Sequence, residues 1–210
     1  MQYDPLRRGC KGTNMYRKYI KRVLDILFGI IGFPFFAIIF IVVAPIIKLE
    51  DRGPVFYNAG RLGKDTKVFK MYKFRSMKVN APDIRNEDGS TFNSETDPRV
   101  TKIGRILRKL SIDETPQLIN VIKGDMSFVG PRPGLPLDWE HFSDEEKRRR
   151  TVRPGITGYS QAYYRNSDTM EKRMDNDVNY AEHVSFLLDC KILLKTVESV
   201  IRKENVNRND

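Results

Sequence analysis

ILFGIIGFPFFAIIFIVVAPII, residues Ile26 to Ile47, is a run of 22 residues without a charged or polar side chain. As one straight helix it would rise about 33 Å, close to the hydrocarbon thickness of a bilayer. It is too long for the apolar core of a secretory signal, and no small-x-small cleavage pattern follows it, so it is expected to stay in the mature chain. Its flanks bear on topology: Arg17, Lys18, Lys21 and Arg22 precede it, and Lys48, Arg52, Arg61 and Lys64 follow. A helix that crosses a membrane should have one basic flank, whereas here both ends favour the cytoplasmic side. Pro34, preceded by Gly29 and Gly32, removes a helical hydrogen bond and can bend the segment. The residues therefore allow two arrangements. One is a single span; the other is a re-entrant helix-break-helix hairpin, broken at Pro34, whose basic ends both reach anionic membrane lipid.

Working outward, the charge distribution agrees with a membrane surface. The 210 residues contain 37 Lys and Arg against 27 Asp and Glu, a net charge of +10. Residues 1–24 carry +6 and residues 48–78 another +6, while residues 79–210 sum to −1. The excess flanks the apolar run instead of lining a folded groove, which argues against nucleic acid as the partner. Cys10 and Cys190 lie far apart, so neither a disulfide framework nor a cysteine metal site is expected, and a reducing compartment is the default. His141 and His183 have no partners at metal-ligand spacing and are read as surface residues.

The rest of the chain reads as one helix-rich, mixed α/β domain. Residues 1–14 form a loose extension, 15–48 the membrane segment, 49–203 the domain and 204–210 a polar tail. The turn cluster at Gly60, Gly63 and Asp65 predicts a β-hairpin whose second strand runs from Val68 to Arg75. Residues 78–96, with Asp88, Gly89 and Ser90, read as a surface loop or short helix. Asp97 and Pro98 offer an N-cap and first-turn proline for a basic amphipathic helix with Val100, Ile103, Ile106, Leu107 and Leu110 on one stripe. That helix suits either a membrane interface or a solvated face over a core. Leu187, Cys190, Leu194, Val197 and Ile201 predict a second amphipathic helix.

Residues 111–133, SIDETPQLINVIKGDMSFVGPRP, hold the densest group of unusual residues. Ser111 and Glu114 match a capping box, and Thr115 followed by Pro116 is a second helix-start signal, so the acids could simply cap a helix. The same geometry suits chemistry, because a helix N-terminus favours an ionised carboxylate and attracts phosphate oxygens. Adjacent Asp113 and Glu114 would repel each other without a cation, and beside a diphosphate they suggest a shared divalent ion, best Mg²⁺. Arg132, between two prolines, could present its guanidinium to a phosphate, and Arg153 adjoins a glycine-containing loop open to an anion. Each signal also has a plain reading as a turn.

Taken together, KRVLDIL, GPVFYNAGRLG, FKMYKFRSM, LSIDETPQL, NVIKGDMSFVGPRP and VRPGITG resemble the bacterial sugar transferase family, the monotopic phosphoglycosyl transferases. The resemblance runs from about Met15 to Lys203 and selects the re-entrant hairpin. It implies transfer of a sugar 1-phosphate from a UDP-sugar to a polyprenol phosphate, usually undecaprenyl phosphate, with release of UMP, at the cytoplasmic face of the bacterial inner membrane. It further implies that Asp113 is the nucleophile of a covalent phosphosugar intermediate and that Glu114 binds Mg²⁺. Lys73, Arg108 and Arg132 fall on the family's positive positions and Asp177 and Asp189 on its acidic ones, with Arg153 a further phosphate candidate. The chain departs from the family where Phe33 precedes Pro34 in place of serine, and where YSQAYYRN follows Gly158. The short length matches the minimal form of the family. A homodimer stays open, and the rival from another class is a membrane-anchored adaptor without catalysis.

Overall fold

The computed structural model describes residues 15–84, 92, 94, 96–136, 143, 147–164 and 169–202. The expected N-terminal extension, polar tail and Asp88–Ser90 loop, together with Cys10 and His141, lie outside these residues.

The apolar run forms most of α1, Lys21–Asp51, which continues a five-residue π-helical stretch, Tyr16–Ile20. Pro34 and Pro45 both lie inside α1, and α-helical structure runs through them, so the break expected at Pro34 is not a break in the helix. The physical reason is placement. Both prolines are on the exposed side, while the opposite side is packed along the whole helix length. Tyr16 and Lys21 meet Asp189, Arg22 meets Val121 and Ile122, and Asp25 accepts from Ser127 and Phe128. Gly29 and Gly32 sit against Ile122 and Leu118, Phe36 and Phe40 against Phe74, and Asp51 against Arg75. From Arg22 to Phe40 the contacts recur in steps of three and four residues, on one stripe of the helix. A Cβ at Gly29 would come within 2.9 Å of the Ile122 side chain, so the glycines permit close approach as well as interrupting the apolar sequence.

The outer face of α1 exposes Val23, Leu27, Ile31, Phe35, Ile38, Ile41 and Leu49. Only 17% of its most apolar window is buried. A core helix of a water-soluble domain would hide this surface, so α1 associates with a membrane.

The predicted hairpin is present as antiparallel β1, Phe56–Leu62, and β2, Val68–Phe74, with Phe56 opposite Phe74. Phe40, Phe56 and Phe74 stack between α1 and the hairpin, with ring centroids 5.6–6.2 Å apart. Helix α2, Lys102–Lys109, starts later than expected: Thr101 is its N-cap, accepting from Gly104 N–H, whereas Asp97 is buried in an ion pair with Arg99. Its stripe divides, since Leu107 is buried while Ile106 and Leu110 are exposed. Helix α3, Gln117–Lys123, leads through Gly124, in the left-handed region at φ 95°, to β3, Ser127–Val129. Strand β4, Gly155–Thr157, pairs parallel to β3. Helices α4, Tyr159–Tyr163, α5, Met170–Glu182, and α6, Phe186–Ile201, complete the order.

Two main apolar clusters result. One, with Phe36, Ile47, Phe74, Leu107 and Leu118, joins α1, the hairpin, α2 and α3. The other, with Tyr159, Tyr180, Leu188 and Ile192, joins the last three helices to β3 and Tyr16. The turn between α2 and α3 is thus carried by two helices that both pack on α1.

Candidate active site

Leu110 ends α2 and Ser111 turns the chain through the left-handed region at φ 55°, which leads into a 3₁₀ turn over Ile112–Glu114. Neither capping expectation is realised: Ser111 makes no side-chain cap, and Thr115 Oγ1 donates to Ile112 O at 2.8 Å. Released from a capping role, Glu114 reaches across to β2, where Lys73 Nζ donates to its Oε1 at 2.5 Å. Strand alternation makes this pairing, because Met71 is buried and Lys73 points to the same face two residues on.

The two adjacent carboxylates differ in acidity. Burial pushes Asp113 up to about 6, with Glu114 adding to the rise and Lys73 and Arg108 opposing it. Burial also resists ionisation of Glu114, but the Lys73 and Arg132 cations overcome it and hold this carboxyl below its ordinary value. Desolvation thus raises Asp113 against the preference of a helix start for an ionised carboxylate. Arg108, anchored by Nε donation to Ser76 Oγ at 2.9 Å, is pulled below its ordinary value by burial, an effect that Asp113 partly offsets.

A polar cleft opens beside Glu114, lined on its polar side by Arg61, Lys73, Glu114, Gln117, Arg132 and Gln161, whereas Asp113 and Arg108 are not among its lining residues. Its enclosed volume is about 40 Å³, well below the roughly 300–1,000 Å³ of ordinary ligand pockets, so only part of a substrate fits between its walls. The lining suits a phosphate group, with three cations around one ionised carboxylate. Sequence reasoning missed Arg61, Gln117 and Gln161. Arg61 and Gln117 stand inside the quoted motifs NAGRLG and DETPQL, but only the hairpin pairing and the α3 start bring them to this cleft. Gln161 Oε1 is buried without a hydrogen-bond partner among the described residues.

Three expected site residues stand elsewhere. Arg153 Nε donates to Gly124 O at 2.8 Å, and Arg22 donates to the neighbouring carbonyls of Val121 and Ile122, so both guanidinium groups cap the end of α3. Asp177 is buried among arginines, with Oδ2 3.1 Å from Arg149 Nη1. Burial pushes Asp177 up to about 6 against the pull of Arg149, Arg150, Arg173 and Arg132. Arg149 in turn donates to the Arg132 carbonyl at 2.8 Å, so Asp177 supports the GPRP loop from behind. Asp189 accepts from Tyr16 at 2.7 Å, Lys21 at 2.5 Å and Tyr180 at 2.6 Å, so it fastens α1 to α5 and α6.

No group of three or more His, Cys, Asp or Glu side chains converges among the described residues. The site therefore offers no all-protein cage. Two neighbouring hard oxygen donors, one of them held ionised, do fit Mg²⁺ that takes its other ligands from water and substrate phosphates.

A carboxylate pair faced by cations, mounted on a membrane-seated helix, defines a membrane-associated class of site for phosphate chemistry. The sequence profile described as Bacterial sugar transferase matches residues 16–203, and the chain belongs to this family. The chain is 40% identical over 191 residues to the uncharacterised sugar transferase EpsL of Bacillus subtilis, covering 91% of this chain and 92% of that one. It is 39% identical over 189 residues to the UDP-N-acetylgalactosamine-undecaprenyl-phosphate N-acetylgalactosaminephosphotransferase of Aeromonas hydrophila, covering 87% of this chain and 44% of the relative. The UDP-glucose:undecaprenyl-phosphate glucose-1-phosphate transferase of Escherichia coli is 38% identical over 188 residues, covering 86% and 40%. The chain thus spans less than half the length of the latter two relatives.

Proposed function

We propose that this protein transfers a sugar 1-phosphate from a UDP-sugar to undecaprenyl phosphate or another polyprenol phosphate, at the cytoplasmic face of the inner membrane. The observation that carries the reading is the unequal carboxylate pair: buried Asp113 beside Glu114, with Lys73, Arg108 and Arg132 around them. The substrates named for the relatives from Aeromonas hydrophila and Escherichia coli support it.

In the first step a carboxylate oxygen of Asp113 attacks the phosphorus that bears the sugar. The bond from that phosphorus to the bridging oxygen breaks, and UMP leaves with the oxygen and its electron pair. An acyl phosphate then links Asp113 to the sugar 1-phosphate. In the second step a phosphate oxygen of the polyprenol phosphate attacks the same phosphorus, which restores the carboxylate and yields the polyprenyl-diphosphate-sugar. Lys73, Arg108 and Arg132 offset the charge that builds on the phosphoryl oxygens in both steps. Asp113 and Glu114 would hold Mg²⁺, which supplies further charge neutralisation at the diphosphate. The product would begin glycan assembly on a lipid carrier.

Both ends of α1 are tied to the same polar domain, through Lys21 to Asp189 and through Asp51 to Arg75. This supports a monotopic seat with both basic flanks on one side of the membrane, against anionic lipid. UMP release from a panel of UDP-sugars with polyprenol phosphate tests the function. The transferase reading expects Mg²⁺-dependent UMP that disappears in Asp113→Asn while membrane association persists. A non-catalytic adaptor would release none in either form.

A further inference from the structure

Strands β3 and β4 bring two loops to the polar cleft. Their parallel pairing of Val129 with Thr157 is extended by Gly130 N–H, which donates to Thr157 O at 2.9 Å. A Cβ at Gly158 would lie 2.2 Å from the Gly130 carbonyl oxygen, so glycine is required where α4 starts against the GPRP loop. This close approach carries Gln161 of α4 to the cleft that Arg132 also lines.

The Gln161 amide has a fixed orientation. Its Nε2 donates to Ile156 O at 3.3 Å, and the reverse orientation would set two oxygens against each other. Oε1 then lies over Gly158, where an added Cβ would come within 2.6 Å of it. It is buried and has no hydrogen-bond partner among the described residues. An amide oxygen taken from water and left without a donor is destabilising, so in a cleft wall it favours a ligand that brings the missing donor. An amide oxygen only accepts, which selects an O–H or N–H group and disfavours a phosphate oxygen. Arg61, Lys73 and Arg132 already suit the phosphates, so Gln161 faces another part of the ligand. Gln117, only 3% exposed, places a second neutral amide at the same cleft.

We infer that Gln161 accepts a hydrogen bond from a hydroxyl or N–H group of the donor substrate, close to its phosphates, and so contributes to its selection. The inference deepens the proposed transfer from a UDP-sugar and rests on that reading for the class of ligand. The group belongs to the sugar or to the nucleoside, and the test separates the two.

Binding is measured by titration calorimetry on the full chain in nanodiscs with Mg²⁺, in Asp113→Asn so that no turnover intervenes. Forms with Gln161 and with Gln161→Met, similar in length but without the amide, are compared. The ligands are inorganic diphosphate, UMP and a panel of UDP-sugars. Diphosphate has the charges without a neutral donor group and should bind both forms equally, whereas at least one UDP-sugar should lose about tenfold in affinity. An equal loss for UMP assigns the group to the nucleoside, and an unchanged UMP affinity assigns it to the sugar. Affinities unchanged for every ligand would overturn the inference, as would failure of every UDP-sugar to bind the form that keeps Gln161. Diphosphate binding lost in step with UDP-sugar binding in both Gln161→Met and Gln161→Leu would mark a structural role and overturn it too. UMP release by the protein with Asp113 intact is followed in parallel. Selective weakening of UDP-sugar binding in a protein that releases no UMP would keep Gln161 as a ligand contact and count against the transferase reading alone.

Discussion

Asp113 and Glu114 are neighbours in sequence with opposite electrostatic fates, a difference that agrees with the roles proposed for them. Asp113 is raised to about 6 chiefly by burial, so it is mostly ionised at neutral pH but remains basic enough to attack. Turnover should therefore rise with pH through about 6 and level off above it, as a pH–rate profile of the first step would show. Stability should move the opposite way. Between the ordinary carboxyl value of 3.8 and about 6 the folded state holds a proton that the unfolded state has lost, so Asp113 reduces stability as pH rises through that window. Asp113→Asn is accordingly expected to abolish turnover and to raise the melting temperature at pH 7 by a few degrees, measured by thermal unfolding. Glu114→Gln leaves Lys73 without its anion and should cut turnover by about a hundredfold or more without recovery at high Mg²⁺. The dyad was legible in the sequence because two adjacent acids stand directly before the helix-start signal Thr115 and Pro116. Their inequality was not, since it depends on burial beneath β2 and on Lys73, which lies 41 positions before Glu114.

At the scale of elements, α1 explains what the sequence concealed. Apolar side chains on both faces hide any helical period, so the packed stripe from Tyr16 to Asp51 could not be read from hydropathy. Pro34 suggested a break because its local cost is visible in sequence, whereas the packing that carries the helix past it is not. Asp189 was similarly read as a phosphate residue, although its partners Tyr16, Lys21 and Tyr180 make it the clasp of this helix. Asp189→Asn should cost about 3–5 kcal/mol in denaturant unfolding by leaving Lys21 partly buried without its counter-ion. Helix α2 is held as closely. A Cβ at Gly104 would lie 2.0 Å from the Ser76 carbonyl oxygen, so Gly104→Ala must push α2 from the end of β2. Because Arg108 bonds to Ser76, that variant should lose turnover as well as stability, in contrast to an alanine at exposed Arg105.

For the whole molecule, the charge asymmetry was the most informative feature of the sequence. It pointed to a membrane surface without any pairing information, and the structure adds that both basic flanks are clasped to one domain. Met15→Cys and Tyr57→Cys, at exposed positions on either side of α1, should both resist a membrane-impermeant thiol reagent added outside intact cells, judged against Cys10 and Cys190 in the parent chain. Labelling of only one would indicate a helix that crosses the bilayer. The polar cleft itself was only half legible: its motifs were visible, but the meeting of Arg61, Gln117 and Gln161 depends on tertiary folding. The central claim is that Asp113 becomes covalently linked to the sugar phosphate. Intact-protein mass, after mixing the purified protein with Mg²⁺ and a panel of UDP-sugars without acceptor, tests it most directly. The account predicts a mass gain of one sugar phosphate with one donor, absent in Asp113→Asn and discharged by polyprenol phosphate. An adduct that persists in Asp113→Asn, or acceptor-dependent UMP release with no adduct at any quench time, would contradict it.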